Sequence, residues 1–172
     1  HRRKKEPMPK KLADFAKVEL VGGGVSGDAG ALSREQMRDM YADADSFVLP
    51  TRGEGWGLPV VEAMAMGLPV IVTNHSGPQS YMSAENAYPI KCSPAKDTFR
   101  EARKHRGKPT VLIGGFAEPD FEHLMELLVR VRENPREARA KGRKAREDIA
   151  STLSSEAVSE RMLQRMNTLL HQ

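Results

Sequence analysis

The segment from Phe47 to Val72 constrains the fold more than any other part of this chain. It reads FVLPTRGEGWGLPVVEAMAMGLPVIV: an apolar run closed by Pro50, a glycine-rich loop, helix-forming residues as far as Gly67, and a β-branched run. Short, continuous apolar runs are typical of strands that are buried on both faces of a parallel sheet. The segment therefore predicts strand, loop, helix and strand in that order.

The same alternation extends on both sides of this segment. Residues 17–21 read as a short strand, residues 78–83 as a short helix and residues 87–90 as another strand. Ser33 and Gln36 have capping-box spacing. After them, apolar residues follow the spacing of one helix face: Met37, Met40, Tyr41 and Ala44. We therefore predict an α/β fold, a Rossmann-like parallel sheet with helices on both faces.

The C-terminal half first interrupts the alternation of strands and helices and then becomes helical. Residues 91–118 read as a surface insertion, and its basic cluster fits a solvated loop better than a phosphate site (Arg100, Arg103, Lys104, Arg106 and Lys108). From Asp120 we expect three helices, with Asn134-Pro135 dividing the first from the second. The third helix, from Ser155, carries an apolar stripe that suits a core or an interface (Val158, Met162, Met166, Leu169 and Leu170).

Charge and composition exclude several classes of protein. The pI of 9.3 comes mainly from residues 1–11, which hold six of the 27 Lys and Arg residues against one acid. We read residues 1–16 as a basic tail or linker and residues 17–172 as one domain. With nine aromatic residues, the chain offers few stacking platforms for nucleic acid. No apolar run is long enough for a transmembrane segment.

The only cysteine is Cys92, so the chain has no internal disulfide and no cysteine-based metal cluster. A reducing, cytoplasmic location fits this composition best. Asp43 and Asp45 form an Asp-x-Asp string, but it lies at a predicted helix end before a strand, on the side of the sheet opposite the expected site. We interpret the string as solvated and expect neither a metal nor another cofactor.

The glycine-rich loop is the candidate ligand site. In a parallel α/β sheet, ligands bind outside the carboxyl ends of the strands, where this loop is expected to lie. Gly53, Gly55 and Gly57 would let the backbone approach a ligand. The helix that follows would direct free N–H groups and its positive dipole towards an anion. A phosphate or diphosphate is the natural ligand for such a loop.

Two carboxylates flank this anion site, Glu54 in the loop and Glu62 eight residues later. A carboxylate repels phosphate but accepts hydrogen bonds from hydroxyl groups, such as the vicinal pair of a ribose. The pair could therefore hold two sugars on either side of one diphosphate. Spacing alone leaves the alternative open that Glu62 merely interacts favourably with the helix dipole.

The whole string resembles the signature region of the family 4 retaining glycosyltransferases, which have the GT-B fold. The matching residues are Pro50-Thr51, Glu54-Gly55-Trp56-Gly57-Leu58-Pro59, Glu62-Ala63-Met64-Ala65 and Gly67-Leu68-Pro69-Val70. Tyr41, Ala44-Asp45 and Phe116-Ala117-Glu118-Pro119 match in the flanks. The similarity covers roughly residues 17–90 and 116–170. It implies that the chain is the C-terminal, donor-binding half of a GT-B fold, truncated at its N-terminus.

The resemblance also implies roles for the site residues. Glu62 would hold the nucleotide ribose, and Glu54 would be the catalytic residue beside the donor sugar. The donor-binding residues would further include Thr51, Gly53, Gly55, Trp56, Gly57 and Leu58, while the loop at residues 22–25 would contact the base. The donor would be a UDP- or GDP-sugar, and the anomeric configuration would be retained.

The sequence departs from the family in two respects. The family's Arg and Lys pair that neutralises the diphosphate is not found, and Arg52 supplies at most part of that charge. The N-terminal acceptor domain is also missing, so we expect a chain that is catalytically incomplete alone and that needs this domain as a partner. A non-catalytic nucleotide-sugar-binding or regulatory module is the main alternative. A related epimerase or phosphorylase is a further one, although no lysine stands out for pyridoxal phosphate.

Overall fold

The computed structural model describes residues 32–95, the backbone of residues 104–105 and 108–109, and residues 115–171. Besides the basic tail or linker at residues 1–16, three features predicted from the sequence lie outside the described residues. These are the strand at residues 17–21, the base-contacting loop at residues 22–25 and the side chains of the basic cluster.

The centre of the fold is a parallel sheet in the order β1-β2-β3, formed by Phe47–Leu49, Val70–Thr73 and Tyr88–Ile90. Phe47 pairs with Val70, and Ile71 pairs with Tyr88. The predicted parallel sheet is thus confirmed. All of β2 is buried, whereas β1 is only half-buried. Phe47 and Leu49 of β1 pack against one core and Val48 against the other, so β1 contacts a core on both faces, as expected, but is only partly buried.

Five helices accompany the sheet: α1 Arg34–Asp43, α2 Leu58–Ala65, α3 Phe121–Glu133, α4 Pro135–Leu153 and α5 Ser155–Leu170. The predicted capping box is confirmed, since the Ser33 hydroxyl accepts from the Gln36 amide and the Gln36 side chain accepts from the Ser33 amide. Asp120 and Ser154 cap α3 and α5 with one bond each, since their side chains accept from the amides of His123 and Ala157. At the start of each helix, either a short polar side chain accepts from a free backbone amide or a proline, which has no N–H, lies in the first turn.

Helices cover both faces of the sheet, as predicted. Val70 and Val72 of β2 pack with Val60, Met64 and residues of α1 and α4 on one face. Ile71 points the other way and packs with Tyr88 and with Leu124 of α3. This alternation is the period-two pattern of a strand, so one buried strand supplies both cores.

The closest helix contact joins the end of α2 to α4. Gly67 ends α2 in the left-handed region, at φ +78°, and a side chain at Gly142 would place its Cβ 2.0 Å from the Gly67 carbonyl oxygen. A second tie between α4 and the sheet involves buried Asn86, whose amide donates to Asp148 at 2.9 Å. These contacts hold α4 against the end of α2 and against the segment that precedes β3.

Two segments differ from the pattern predicted for them. The helix expected at residues 78–83 is a single 3-10 turn, Gly77–Ser80. In the segment predicted as a surface insertion, β4 Cys92–Pro94 pairs antiparallel with β7 Ala117–Pro119. Two shorter strands in the same segment also pair antiparallel with each other, β5 Lys104–His105 and β6 Lys108–Pro109. Ala95 and Ala117 are buried, so both ends of the segment belong to the folded body.

The apolar stripe of α5 faces solvent. No residue of α5 is buried, and Met162 and Met166 are 61% and 56% exposed. The stripe is therefore not part of either core in the described structure. Within the described ranges, no helix is both long and apolar enough to span a membrane.

Candidate functional site

The glycine-rich loop, residues 51–57, leaves the carboxyl end of β1 and leads into α2. It lies against residues 74–77, the turn that leaves the carboxyl end of β2. The Glu54 amide donates to the Ser76 hydroxyl at 2.9 Å, and the Gly77 amide donates to the Glu54 carbonyl at 3.2 Å. Two neighbouring strands thus bring their loops together at the edge of the sheet where α/β proteins bind ligands.

Four consecutive backbone amides in this loop are free to bind an anion. Among the described residues, the N–H groups of Gly55, Trp56, Gly57 and Leu58 donate to no protein acceptor. The next positions of α2 offer nothing further, because Pro59 has no N–H and the amides of Val60 and Val61 donate to the Gly57 carbonyl. Three of the four donors therefore belong to the loop and only one, Leu58, to the helix. The sequence had suggested a larger contribution from the helix.

The three loop glycines have different roles. Gly57 caps α2 at φ +80°, and a Cβ there would lie 2.9 Å from the Tyr81 hydroxyl oxygen. Only glycine fits this position without strain. A Cβ at Gly55 would meet nothing within 4 Å, so its surroundings are open to a ligand. At Gly53 it would make an ordinary contact with Phe116, 3.5 Å away.

Glu54 has a fixed backbone and a free carboxylate. Both polar groups of its main chain bond to the 74–77 turn, as described above, while its half-buried side chain has no hydrogen bond or ion pair with the described residues. Its charge is felt by Tyr81. Burial, and secondly the Glu54 carboxylate, raise the pKa of Tyr81 to about 12, which keeps that phenol a hydrogen-bond donor at neutral pH.

Tyr81 holds the loop at Trp56. Its hydroxyl donates to the Trp56 carbonyl at 2.7 Å and lies 3.2 Å from the Gly57 carbonyl oxygen. The two rings also pack at a centroid distance of 5.4 Å. Trp56 remains 43% exposed and Leu58 is 64% exposed, so an apolar surface borders the free amides.

Glu62 lies in the middle of α2 and faces α1. Its Oε2 accepts from the hydroxyl of buried Tyr41 at 2.9 Å. Burial, and then the hydrogen bond to Glu62, raise the pKa of Tyr41 above its ordinary value, so the phenol stays protonated and donates. Oε1 of Glu62 has no partner among the described residues and is available to a ligand hydroxyl.

The ends of the 91–118 segment border the loop. The Ala117 amide donates to the Arg52 carbonyl at 2.8 Å, and the Arg52 guanidinium lies 5.8 Å from the Phe116 ring centre. That guanidinium also pairs with Glu118 at 3.3 Å. Part of the positive charge that Arg52 could offer a diphosphate is therefore already balanced.

The structure brings most of the predicted site residues into one place. Thr51, Gly53, Glu54, Gly55, Trp56, Gly57 and Leu58 form the loop and the start of α2, while Glu62 has separate neighbours on α1. The sequence reading missed the functional neighbours Ser76, Gly77 and Tyr81, because their turn carries no motif of its own. Asp43 and Asp45 lie at the end of α1, before β1, where the sequence placed them.

Known proteins match this region of the chain. The family described as "Glycosyl transferases group 1" matches residues 28–104. Mannosylfructose-phosphate synthase of Agrobacterium fabrum is 45% identical over 49 residues, which are 28% of this chain and 11% of that protein. The O-antigen chain mannosyltransferase B of Escherichia coli is 44% identical over 45 residues, 26% of this chain and 12% of that one. The chain thus spans about a tenth of the length of these relatives.

A solved structure extends the likeness to the fold. Sucrose-phosphate synthase from Thermosynechococcus elongatus matches 83% of this chain and 29% of its own, with a TM-score of 0.58 and 24% identity. The fold described here is therefore that of one part of a GT-B enzyme. Residues 28–104 are thus similar to the group 1 glycosyltransferases in sequence, and the fold of the chain agrees with that similarity.

Proposed function

We propose that this chain binds the sugar donor of a retaining glycosyltransferase, a nucleoside-diphosphate sugar, at the glycine-rich loop. The observation that carries the proposal is the row of amides from Gly55 to Leu58, which donate to no acceptor among the described residues and lie beside the Glu54 carboxylate, itself without a partner among those residues. Backbone amides at a helix start bind phosphate groups, and a carboxylate beside them suits sugar hydroxyls. A nucleotide sugar presents both chemistries in one molecule.

In this proposal the diphosphate lies against the four amides, and Glu62 accepts a hydrogen bond from the ribose. The Tyr41 hydroxyl donates to Oε2, and Oε1, which has no partner among the described residues, would accept from the ribose. Glu54 lies beside the donor sugar. As the diphosphate leaves, positive charge grows on the anomeric carbon, and a carboxylate near it lowers the energy of that state. Retention of configuration is proposed from the family resemblance.

Transfer also needs an acceptor site, which we propose is supplied by a separate N-terminal domain. The chain covers 29% of the sucrose-phosphate synthase chain and smaller shares of its curated relatives, so the comparisons concern one part of such enzymes. Adding an acceptor domain should restore sugar transfer if the chain is half of an enzyme. Binding without transfer under those conditions would favour a non-catalytic nucleotide-sugar-binding module.

Calorimetric titration with UDP, GDP, UDP-glucose and GDP-mannose tests the donor site. We expect saturable binding of one nucleotide series. The Glu62→Ala variant should bind that nucleotide at least tenfold more weakly, about 1.4 kcal/mol. Glu85→Ala is a matched control, because Glu85 is exposed and lies outside the loop and α2. No binding by any of the four compounds would contradict the proposal.

A further inference from the structure

We infer that Ser76 is a positioning residue for Glu54 and thereby sets how well the site recognises the sugar of its donor. This inference rests on the proposed function. Its starting point is the backbone of Ser76, at φ 57° and ψ −138°. It is the only non-glycine residue with positive φ in the described part of the chain.

A side chain at this position has a cost that glycine would avoid. Residues with a Cβ rarely adopt positive φ with extended ψ, and such strain is found most often at functional sites. What serine adds over glycine here is its hydroxyl group. That hydroxyl accepts from the Glu54 amide at 2.9 Å. The bond to Glu54 is therefore the feature that the strained serine provides.

The residue after Ser76 completes the attachment. The Gly77 amide donates to the Glu54 carbonyl at 3.2 Å. A Cβ at Gly77 would lie 2.4 Å from the Gly55 carbonyl oxygen and 2.7 Å from the Trp56 Cα, so the two backbones are in direct contact. Two successive residues thus hold both main-chain polar groups of Glu54.

The attachment fixes the root of the Glu54 side chain and leaves its carboxylate unpaired. On the other side of the loop, Tyr81 holds the Trp56 carbonyl independently at 2.7 Å. The 55–58 segment is therefore held partly by Tyr81, whereas the Glu54 amide is held by Ser76. Loss of the Ser76 hydroxyl should affect the sugar-binding carboxylate more than the diphosphate-binding amides.

The test compares two variants of the full chain. Ser76→Ala removes the hydroxyl and keeps the strain, whereas Ser76→Gly removes both. Ser80→Ala is the matched control: its hydroxyl donates to the Gly77 carbonyl at 2.6 Å in the same turn and does not touch Glu54. The first readout needs no ligand. Hydrogen exchange of the Glu54 amide should be at least about tenfold faster in both Ser76 variants and unchanged in Ser80→Ala.

The second readout is the affinity ratio between the bound nucleotide sugar and its nucleoside diphosphate, measured by calorimetry. We expect both Ser76 variants, and Glu54→Ala with them, to lose most of the sugar-dependent gain in affinity, while the diphosphate affinity stays within about twofold. Combining Ser76→Ala with Glu54→Ala should cause no further loss.

Several outcomes would overturn the inference. An equal loss of affinity for diphosphate and sugar conjugate would show a structural role only, as would additive effects in the double variant. An unchanged ratio of sugar-conjugate to diphosphate affinity in Ser76→Gly would also show that Ser76 does not position Glu54, because this variant loses the hydroxyl and folds without strain. If the wild-type chain bound no nucleotide, the proposed function itself would fail and the inference with it.

Discussion

The hydroxyl of Tyr41 lies 2.9 Å from Oε2 of Glu62 and links α1 to the middle of α2. Tyr41 is 5% exposed, so its ring belongs to the core while its hydroxyl reaches a surface carboxylate. Because the ring is fixed by packing, the hydrogen bond restricts the orientation of Glu62. This residue pair connects the larger hydrophobic core with the side chain that we propose binds ribose.

Replacing Tyr41 with phenylalanine should therefore weaken nucleotide binding as well as the fold. The variant keeps the packed ring and loses one hydrogen bond, which lowers the free energy of unfolding by about 1 kcal/mol. Because that bond also orients Glu62, we expect about a fivefold higher Kd for the bound nucleotide. Calorimetry measures this change. Tyr88→Phe is the control: the Tyr88 hydroxyl is buried and has no hydrogen-bond partner in the described part of the chain, and its removal should leave binding unchanged and stability equal or slightly higher. Equal affinity in Tyr41→Phe and wild type would contradict a positioning role for Tyr41.

Alanine at the two neighbouring loop glycines should separate binding from stability. Gly55→Ala places its Cβ in open space, so the chain should unfold at the wild-type temperature but bind nucleotide about tenfold or more weakly. Gly57→Ala combines φ +80° with a contact 2.9 Å from the Tyr81 hydroxyl oxygen, and should lower the free energy of unfolding by about 1–3 kcal/mol. Thermal unfolding and titration of both variants check this. Full affinity in Gly55→Ala would show that ligands do not approach this side of the loop.

The contact between Gly67 and Gly142 predicts a destabilising substitution inside a helix. In an exposed helix, replacing glycine with alanine stabilises by about 1 kcal/mol. At Gly142 the new Cβ would lie 2.0 Å from a backbone oxygen, and displacing packed backbone costs about 1–3 kcal/mol. We therefore expect Gly142→Ala to lower the midpoint of urea unfolding. Ala150→Gly, at an exposed position of the same helix, reports the propensity effect alone. A more stable Gly142→Ala chain would show that α4 does not pack this closely on α2.

Asp148 should contribute to stability at neutral pH and lose that contribution in acid. The hydrogen bond from Lys144, and secondarily that from Asn86, lowers the pKa of Asp148. A carboxylate with a lowered pKa in the folded state stabilises above its unfolded pKa, and the effect disappears as pH falls through the folded pKa. Asp148→Asn should therefore unfold more easily at pH 7 and show a shallower loss of stability towards pH 3. Glu147→Gln, a change at an exposed neighbouring position, should keep the wild-type dependence of stability on pH. The same dependence in Asp148→Asn would refute the assignment.

The local part of this architecture could be predicted from the sequence, because its signals lie close together along the chain. The Ser33 capping box, the β-branched run of β2 and the helix end at Gly67 each involve a few neighbouring residues. The same is true of the glycine-rich loop, whose placement after β1 follows from strand and helix order. The exposed α5 stripe could not be assigned, since periodicity identifies an apolar face without identifying what covers it.

The support around Glu54 could not be predicted, for a physical reason. Ser76 and Tyr81 contact the loop across 22 and 25 residues of sequence, and neither periodicity nor spacing encodes which turns meet at the edge of a sheet. The positive φ of Ser76 is also invisible in the sequence, because serine normally avoids it. Sequence reasoning found the carboxylate but not the residues that hold it.

The central claim is that the free amides from Gly55 to Leu58 bind the diphosphate of the donor. Titrating the ¹⁵N-labelled chain with the nucleoside diphosphate it binds, and following amide resonances by NMR, tests this most directly. We predict that the Gly55, Trp56, Gly57 and Leu58 resonances shift together with one common Kd, while those of the exposed face of α5 do not move. Shifts confined to another part of the chain, or saturable binding that leaves these four amides unchanged, would contradict the account.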